Sequence, residues 1–275
     1  MKKRSAGTIE RTVKSLSDAL EYAAIAETHA ETGGLLQSLD PRVKLAGLLG
    51  LILAAVSVGR VGVTLVILGV AVGLALFSRI PLRVLATRVW LGVFVFTGAI
   101  ALPAVFLTPG EPVCRIPWLH WTVTWQGAHA AWRLLARAET AATLAILLVL
   151  STPWTHLLKA MRVVRLPVVL VVILGMTHRY IFLLLHTAGD FFEARRCRLV
   201  GELDSHAQRR LIVASAGVLF GRSLQLSEEV FEAMQARGFR GEVYTLDDFS
   251  MKRLDWCMLA AFIGVAMLAL WAGNT

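Results

Sequence analysis

Two short arginine-containing segments are the residues whose types and positions most directly suggest chemistry with another protein. They are Ala194-Arg195-Arg196 and Ala236-Arg237-Gly238, and each stands where a long helix is expected to end. A small residue beside a long planar cation lets the guanidinium reach into a groove, where it can hold a carboxylate through two parallel hydrogen bonds that lysine cannot make. A solvated basic cluster beside a membrane is the alternative, and for two tripeptides alone it is the commoner case.

Other residues that could do chemistry lack the spacing that catalysis or metal binding requires. No lysine follows a glycine, so the chain has no GxxxxGK(S/T) phosphate loop, and neither HExxH nor GxSxG occurs. The seven histidines, among them His178 and His186, show no metal-ligand spacing, and the three cysteines form no CxxC pair. Cys197 lies among arginines that favour its thiolate, but an ordinary interfacial cysteine is the commoner case. The sequence therefore predicts no metal site and no cofactor bound by this chain.

The composition is that of a membrane protein. Of 275 residues, 56% are hydrophobic and 17% are charged, and the mean hydropathy is +0.65. Soluble domains are usually nearer half apolar and a quarter charged, and here the apolar residues are gathered in long runs. The net charge of +9 and the pI near 10.1 fit an anionic cytoplasmic leaflet more simply than nucleic acid. These values exclude a disordered chain and indicate contact with membrane lipid.

Five segments qualify, well or adequately, as membrane-spanning helices, which need about 20 apolar residues because every backbone amide must be bonded within the segment. The predicted spans are Val43–Val58, Val61–Phe77, Val89–Leu107, Ala128–Leu150 and Leu254–Ala272. Gly59-Arg60 separates the first two as a tight hairpin. The segment Leu166–Ala188 is left out, since its apolar run stops after Met176, about eleven residues along and too short to cross.

The distribution of basic residues supports five spans. If Leu166–Ala188 does not cross, the N-terminal side of the membrane holds 22 Lys and Arg, five in residues 1–41, three in 78–88 and fourteen in 151–253. The opposite side holds only Arg60 and Arg115. A sixth span would move the arginine-rich stretch outside and remove the bias that the positive-inside rule favours. We therefore expect a multi-pass protein of the inner (cytoplasmic) membrane.

The fold class that follows is an all-α polytopic membrane protein with about five transmembrane helices plus long cytoplasmic helices. Residues 1–41 are expected to form a cytoplasmic N-terminal segment, and 42–150 the first four transmembrane helices. Residues 151–253 form a cytoplasmic helical module, and 254–275 the last transmembrane helix with the C-terminus.

Three helices are predicted inside the cytoplasmic module. Ser151-Thr152-Pro153 is typical of a helix start, and Pro167 ends that first helix and opens a second that runs to about Arg198. A third helix is predicted from about Ser205 to Arg237, with Gly238 as its left-handed C-terminal cap. Its apolar residues at helical spacing are Leu219, Leu226, Val230 and Met234.

Small residues recur at a spacing of four in the first two spans. Ala46 with Gly50 and Gly69 with Gly73 form small-xxx-small pairs. Such pairs let helix backbones approach closely in lipid. They either pack the hairpin of the first two spans or contact another membrane subunit.

Ionisable residues inside the predicted spans are the basis of an alternative function. Arg133, Arg137 and Glu139 lie toward the outer end of the fourth span, where arginine can reach the interface and neutralise the glutamate. If these three clustered with His178 in the bilayer, the chain could be a membrane-embedded enzyme. No nucleophile, metal trio or cofactor motif accompanies them. A nonspecific scaffold is a further alternative.

Several motifs, taken in order, resemble those of one transporter family. Leu39-Asp40-Pro41-Arg42-Val43-Lys44-Leu45 resembles its N-terminal signature. Ser151-Thr152-Pro153, Arg165-Leu166-Pro167 and Met176-Thr177-His178-Arg179-Tyr180-Ile181 resemble its central block, and the two arginine tripeptides resemble its coupling motifs. Over most of its length, the chain is similar to the transmembrane (T) component of energy-coupling factor (ECF) transporters of the cobalt type, the CbiQ family.

The resemblance implies a coupling role rather than a catalysed reaction. Arg195 and Arg237 would each enter a groove on one of two cytoplasmic ATPase subunits, with Arg196 as the alternative to Arg195. The long helices would hold a separate substrate-binding membrane subunit and act as levers when ATP closes the ATPase pair. ATP and Mg would be bound by the partner ATPase and not by this chain, and nucleic acid is not a partner. Cobalt is the substrate that the resemblance favours, with nickel second and a vitamin third.

Overall fold

The structure is a computed structural model and describes residues 34–80, 82–108, 112–116, 121–163, 166–198, 205–241 and 251–274. These residues divide into two compact units. One unit, which we call the bundle, contains the described residues up to Ala160 and from Met251 onward. The other, which we call the insert, contains those from Met161 to Gly241. The insert therefore interrupts the bundle in chain order.

The described residues are mainly helical. In chain order the helices are α1 (Pro41–Ser57), α2 (Val61–Phe77), α3 (Leu82–Leu85), α4 (Leu91–Leu107), α5 (Trp125–Ser151), α6 (Trp154–Val163), α7 (Val168–Arg198), α8 (Ser205–Ala236) and α9 (Arg253–Asn274). A π-helical segment, Ala86–Trp90, joins α3 to α4. Helix α6 runs from the bundle into the insert. The helices predicted to end near Arg198 and to begin near Ser205 are confirmed.

Side-chain caps explain where two of the bundle helices begin. The Asp40 carboxylate accepts a hydrogen bond from the Arg42 amide at 2.8 Å, and Pro41 takes the first position of α1, where its missing N–H costs nothing. The Thr124 hydroxyl likewise accepts from the Gly127 amide at 3.2 Å and caps α5. These caps bond amides that the first turn of a helix leaves without a partner.

Helix α5 is the centre of the bundle, because it contacts α1, α2 and α4, while α9 packs against α1 and α2. The fully buried apolar side chains of these helices include Leu48, Leu51, Ile67, Leu144 and Leu147. Large apolar side chains such as Phe77, Phe96 and Trp271 are instead exposed on the outer faces. Helices that are apolar on both faces suit a lipid surrounding, since lipid rather than water then covers the outer face.

Close helix contacts in the bundle occur at glycines other than the predicted ones. A side chain at Gly47 would overlap the ring of Phe262 on α9, and one at Gly273 would lie 2.7 Å from Val58. Space is open around Gly50, Gly69 and Gly73, where an added Cβ would meet no atom within 4 Å. Ala46 is exposed as well. Within the described residues, Gly50, Gly69 and Gly73 therefore make no close helix contact, and both roles of the small-residue pairs stay predictions.

The connection from α4 to α5 contains a β-hairpin, which the all-helical prediction did not include. Strand β1 (Pro112–Ile116) pairs antiparallel with β2 (Trp121–Thr124). Prolines in this stretch exclude a continuous helix, and strand pairing bonds the backbone instead. The Thr124 hydroxyl also donates to the Thr108 carbonyl at 2.9 Å, which ties the start of α5 to the chain that follows α4.

The predicted spans coincide with bundle helices α1, α2, α4, α5 and α9. Among the described residues, three segments have both the length and the hydropathy of a membrane span: Trp125–Ser151, Val168–Ala194 and Arg253–Gly273. Val61–Phe77 and Leu91–Pro103 are shorter apolar helices. Helix α7 is continuous through Thr177–Arg179, after which Ile181–Leu185 resumes the apolar run. The statement that its apolar run is too short to cross is therefore wrong, and the case against a sixth span depends on the arginines alone.

Candidate functional site

The second arginine tripeptide forms the end of helix α8. Gly238 has a φ of 77°, the left-handed conformation that glycine adopts most readily, which confirms the predicted cap. The Gly238 amide donates to the Gln235 carbonyl at 2.9 Å, and the Phe239 amide donates to the Met234 carbonyl at 3.0 Å. These two bonds define a Schellman motif, in which the backbone turns sharply away from the helix axis.

Arg237 is the last residue before that turn, and its side chain is exposed. Its amide is still bonded to the carbonyls of Ala233 and Met234, so the backbone that carries the guanidinium is fixed. Ala236 and Gly238 on either side are also exposed and add no bulk. The arrangement presents a long planar cation at a rigid helix end, as insertion into a groove of another protein requires.

The first tripeptide differs from the second in its position on the helix. Helix α7 continues through Ala194 and both arginines and ends at Arg198, so the tripeptide lies within its last turns. Ala194 is exposed, whereas the side chains of Arg195 and Arg196 lie outside the described residues. Phe192, two residues before Ala194, is buried, with 5% of its surface exposed.

An apolar groove lies between α7 and α8, with a volume of about 450 Å³. On α8 it is lined by Leu226, Val230 and Met234, which the sequence pattern placed on one face. Its lining on α7 was missed, although the spacing of Val169, Ile173, Met176, Tyr180 and Leu184 is helical and could have indicated it. Phe239 closes one part of the groove and is the residue that pairs with Met234 in a Schellman motif. The groove and the cap of α8 are therefore parts of one structure.

The charged residues of α5 do not form the predicted ion pair in the described structure. Arg137 donates through Nη2 to the Val58 carbonyl, at the end of α1. Arg60 similarly donates to the Ala272 carbonyl near the end of α9, at 3.3 Å. Within the described residues, Oε2 of Glu139 is buried without a hydrogen-bond partner. Arg137 and Arg60 therefore bond carbonyls at or near helix ends, which lack partners in their own helix.

The residues on which the enzyme alternative depended are divided between the two units. Arg133, Arg137 and Glu139 belong to the bundle, whereas His178 belongs to the insert and stacks edge-on against Phe182 with ring centres 5.0 Å apart. In the part of the chain that the structure describes, no group of three His, Cys, Asp or Glu residues could hold a metal ion.

A polar cluster that sequence reasoning missed lies between α1, α5 and α9. Lys44 donates to the Ser151 carbonyl at 3.0 Å, and the Asp255 carboxylate accepts from the amides of Asp40 and Lys252 at 2.9 and 2.8 Å. Sequence patterns gave one signal, since a lysine one turn inside an apolar helix needs a partner. Sequence patterns could not identify Ser151 as the partner of Lys44, or Asp255 as the partner of Asp40, because these residues are distant in the chain.

The helices and the insert define a polytopic helical membrane protein, and comparison with known proteins gives its family. The family model described as cobalt transport protein, CbiQ, matches residues 34–245. An uncharacterized protein of Methanocaldococcus jannaschii is 28% identical over 271 residues, which cover 96% of this chain and 90% of that protein. The cobalt transport protein CbiQ of Rhodobacter capsulatus is 31% identical over 217 residues, or 72% of this chain and 78% of that protein.

The chain belongs to the CbiQ family of cobalt transport proteins. The resemblance drawn from its motifs is confirmed, as is the prediction of a multi-pass membrane protein. A member of this family is a non-catalytic transmembrane component of a transporter and binds no cofactor. The membrane-enzyme alternative is therefore wrong.

Proposed function

We propose that this chain is the transmembrane coupling subunit of an ATP-driven ECF-type importer that takes up cobalt. Membership of the CbiQ family supports the transporter role. The observation that carries the coupling role is the exposed Arg237 on the Schellman cap of α8. A lever needs a contact point whose backbone does not yield when it is pushed, and this cap bonds the last turn of the helix to the residues that follow it.

Two ATPase subunits are the proposed partners of the arginine tripeptides. Arg237 enters a groove on one subunit and Arg195 a groove on the other, with Arg196 as the alternative contact in the first tripeptide. Acidic or carbonyl groups in such a groove would replace the water around each guanidinium. Closure of the ATPase pair on ATP would then displace the ends of α7 and α8.

A substrate-binding membrane subunit is the proposed partner of the apolar groove between α7 and α8. The groove is lined mainly by aliphatic and aromatic side chains, and Ile173 and Phe231 in its lining are exposed. An apolar helix of the membrane subunit suits such a surface, because burying apolar area favours association. Movement of the insert would thereby be passed to the subunit that holds the ion.

The proposed orientation places the insert in the cytoplasm, where an ATPase pair can reach it. A crossing of α7 would place Arg198, Arg209, Arg210 and Arg222 outside, against the positive-inside rule. Single cysteines at Ser205 and Thr122, in a chain without its native cysteines, are therefore expected to react with a membrane-impermeant reagent from opposite sides. Reaction from the same side would show that α7 crosses and would contradict the cytoplasmic position of the insert.

Cobalt is the proposed substrate, because the family is described by cobalt transport and the Rhodobacter capsulatus relative is named for it. The test is co-expression with an ATPase pair and a substrate-binding subunit, followed by purification through a tag on this chain. We expect both partners to co-purify and the membranes to accumulate Co²⁺ only when ATP can be hydrolysed. Retained partners with uptake of Ni²⁺ but not Co²⁺ would preserve the coupling role and change the substrate. Absence of an ATPase pair would contradict the coupling role itself.

A further inference from the structure

A buried polar cluster lies at the end of α5, from which α6 leads into the insert, and at the beginning of α9, to which the chain returns. It consists of Asp40, Lys44, Ser151 and Asp255 together with the main-chain amide of Lys252, and we call it the anchor cluster. Lys44 and Asp255 are each only 2% exposed, and Ser151 is fully buried. Charges buried so completely destabilise a protein unless they are paired and hydrogen-bonded. The contacts of this cluster therefore fix the helices that carry it.

Lys44 fixes the end of α5, the helix that precedes α6 on the way to the insert. Its Nζ donates to the carbonyl of Ser151 at 3.0 Å, and Ser151 is the last residue of α5. A carbonyl at this position has no partner within its own helix, and a cation there also complements the helix dipole. The end of α5 is thereby held to the first turn of α1.

Asp255 fixes the point at which the chain returns. One of its carboxylate oxygens accepts from the Lys252 amide at 2.8 Å, directly before α9, as in one half of a capping box. The other oxygen accepts from the amide of Asp40 at 2.9 Å, and Asp40 is itself the cap of α1. A single carboxylate therefore joins the beginnings of α1 and α9.

We propose that the anchor cluster is the rigid joint through which movement of the insert reaches the bundle. The inference rests on the proposed coupling function. The end of α5, which precedes α6, and the beginning of α9, which follows the return from the insert, are both held at the beginning of α1. A displacement of the insert would therefore move these bundle helices together. Without the cluster, the last turn of α5 or the first turn of α9 would unwind and absorb the displacement. Lys44 and Asp255 are positioning residues in this scheme, since they act through Ser151 and Asp40.

The test compares uptake of Co²⁺ with ATP hydrolysed in the complex of this chain with its ATPase pair and substrate-binding subunit. Lys44→Met removes the donor to Ser151, and Asp255→Asn replaces one acceptor oxygen by an amide donor. We expect both variants to retain the ATPase pair and to hydrolyse ATP, while uptake per ATP falls on the order of tenfold, within the usual range of coupling between sites. Lys44→Arg keeps a donor for Ser151 and is expected to restore much of the ratio.

Phe262→Leu is the matched control. Phe262 packs on Gly47, so its replacement by leucine weakens the contact of α1 with α9 at a place outside the cluster. It is expected to lower the melting temperature without changing uptake per ATP. An unchanged ratio in Lys44→Met and Asp255→Asn, or an equal fall in Phe262→Leu, would overturn the joint while leaving the coupling function intact.

Assembly itself separates the remaining outcomes. If both cluster variants fail to assemble while Phe262→Leu assembles, the cluster is only a folding element and the proposal is overturned. If the unmodified chain retains no ATPase pair, the proposed coupling function is contradicted, and the proposal of a rigid joint is contradicted with it.

Discussion

The bundle and the insert use the same element, a long helix, in opposite ways. In the bundle, helix ends are bonded by neighbours: Lys44 bonds the end of α5, Arg137 the end of α1 and Arg60 the end of α9. In the insert, α7 and α8 contact each other beside a groove, and of the described residues of α7 only Val171, Ala188 and Phe192 are buried. Three helix ends of the bundle are therefore bonded by side chains of the same chain, whereas the insert leaves its helix faces and the side chain of Arg237 exposed.

The difference indicates where partners are needed. Arg60 and Arg137 of the bundle bond main-chain carbonyls of the same chain, as a membrane surrounding without water demands. Arg237 in the insert has the same chemistry, but its side chain is exposed at a fixed helix end. The same residue type is thus a structural bond in one unit and an available contact in the other. Four predictions test this contrast.

The largest effect is expected from the arginine tripeptides. Truncating one partner of a buried charged contact costs about 2–5 kcal/mol, or roughly 30- to 4,000-fold in affinity. Arg237→Ala should weaken retention of the ATPase pair by an amount in this range, and Arg195→Ala together with Arg237→Ala should weaken it further. Lysine at both positions should restore retention only in part, since it keeps the charge but loses the planar fork. Co-purification from one membrane preparation measures the series.

Arg198→Ala and Arg240→Ala are the controls for that series, since both residues are exposed and basic but lie outside the tripeptides. They should change ATPase retention little. If they matter as much, or if lysine replaces both tripeptide arginines fully, the arginines serve only as basic charge on the cytoplasmic side. Full transport by the double-alanine variant would remove the coupling role from both residues.

A second, smaller effect is expected in the groove of the insert. Leu226→Asp places a carboxylate among apolar side chains, and loss of a central apolar contact costs about 2 kcal/mol of binding, or roughly 30-fold. Retention of the substrate-binding subunit should fall, whereas retention of the ATPase pair should not. Leu224→Asp is the control, because Leu224 is exposed and outside the groove lining. Equal effects of the two variants would show that the groove is not the docking surface.

The third prediction contrasts two glycines of the bundle. Gly47→Leu should lower stability in detergent by about 1–3 kcal/mol, because the new side chain overlaps Phe262 in a packed contact. Gly73→Leu should leave the stability of the isolated chain unchanged, since space there is open. Thermal unfolding of the purified chain measures both. Destabilisation by Gly73→Leu would restore the interpretation that the small-residue pairs pack within the chain, and a loss confined to complex yield would indicate contact with another subunit.

The smallest effect is expected at the cap of α8. Gly238→Ala forces a Cβ into the left-handed conformation at a cost of about 1 kcal/mol. Hydrogen exchange of the Gly238 and Phe239 amides should quicken, while the bundle amides are unchanged. Gly217→Ala, in the middle of α8 with open space around it, should instead leave the helix as stable or slightly more stable. Unchanged exchange at Phe239 would show that the cap does not hold the end of the helix.

Sequence patterns determined the class of this protein and most of its helices, because both depend on local properties. Long apolar runs identify α1, α2, α4, α5 and α9. Capping chemistry located the end of α8, since only glycine adopts a φ of 77° readily, and this conformation is set within a few residues. Motif order gave the CbiQ family without any three-dimensional information.

The tertiary structure decided which residues meet. GxxxG spacing indicated close packing at Gly69 and Gly73, but the close contacts lie at Gly47 and Gly273, because a small residue matters only where another helix approaches it. Charge patterns paired Glu139 with an arginine, whereas Arg137 bonds the Val58 carbonyl. The anchor cluster joins residues more than a hundred positions apart, Lys44 with Ser151 and Asp40 with Asp255. No local pattern encodes such pairs, since they arise only when the helices pack and their buried polar groups must find partners.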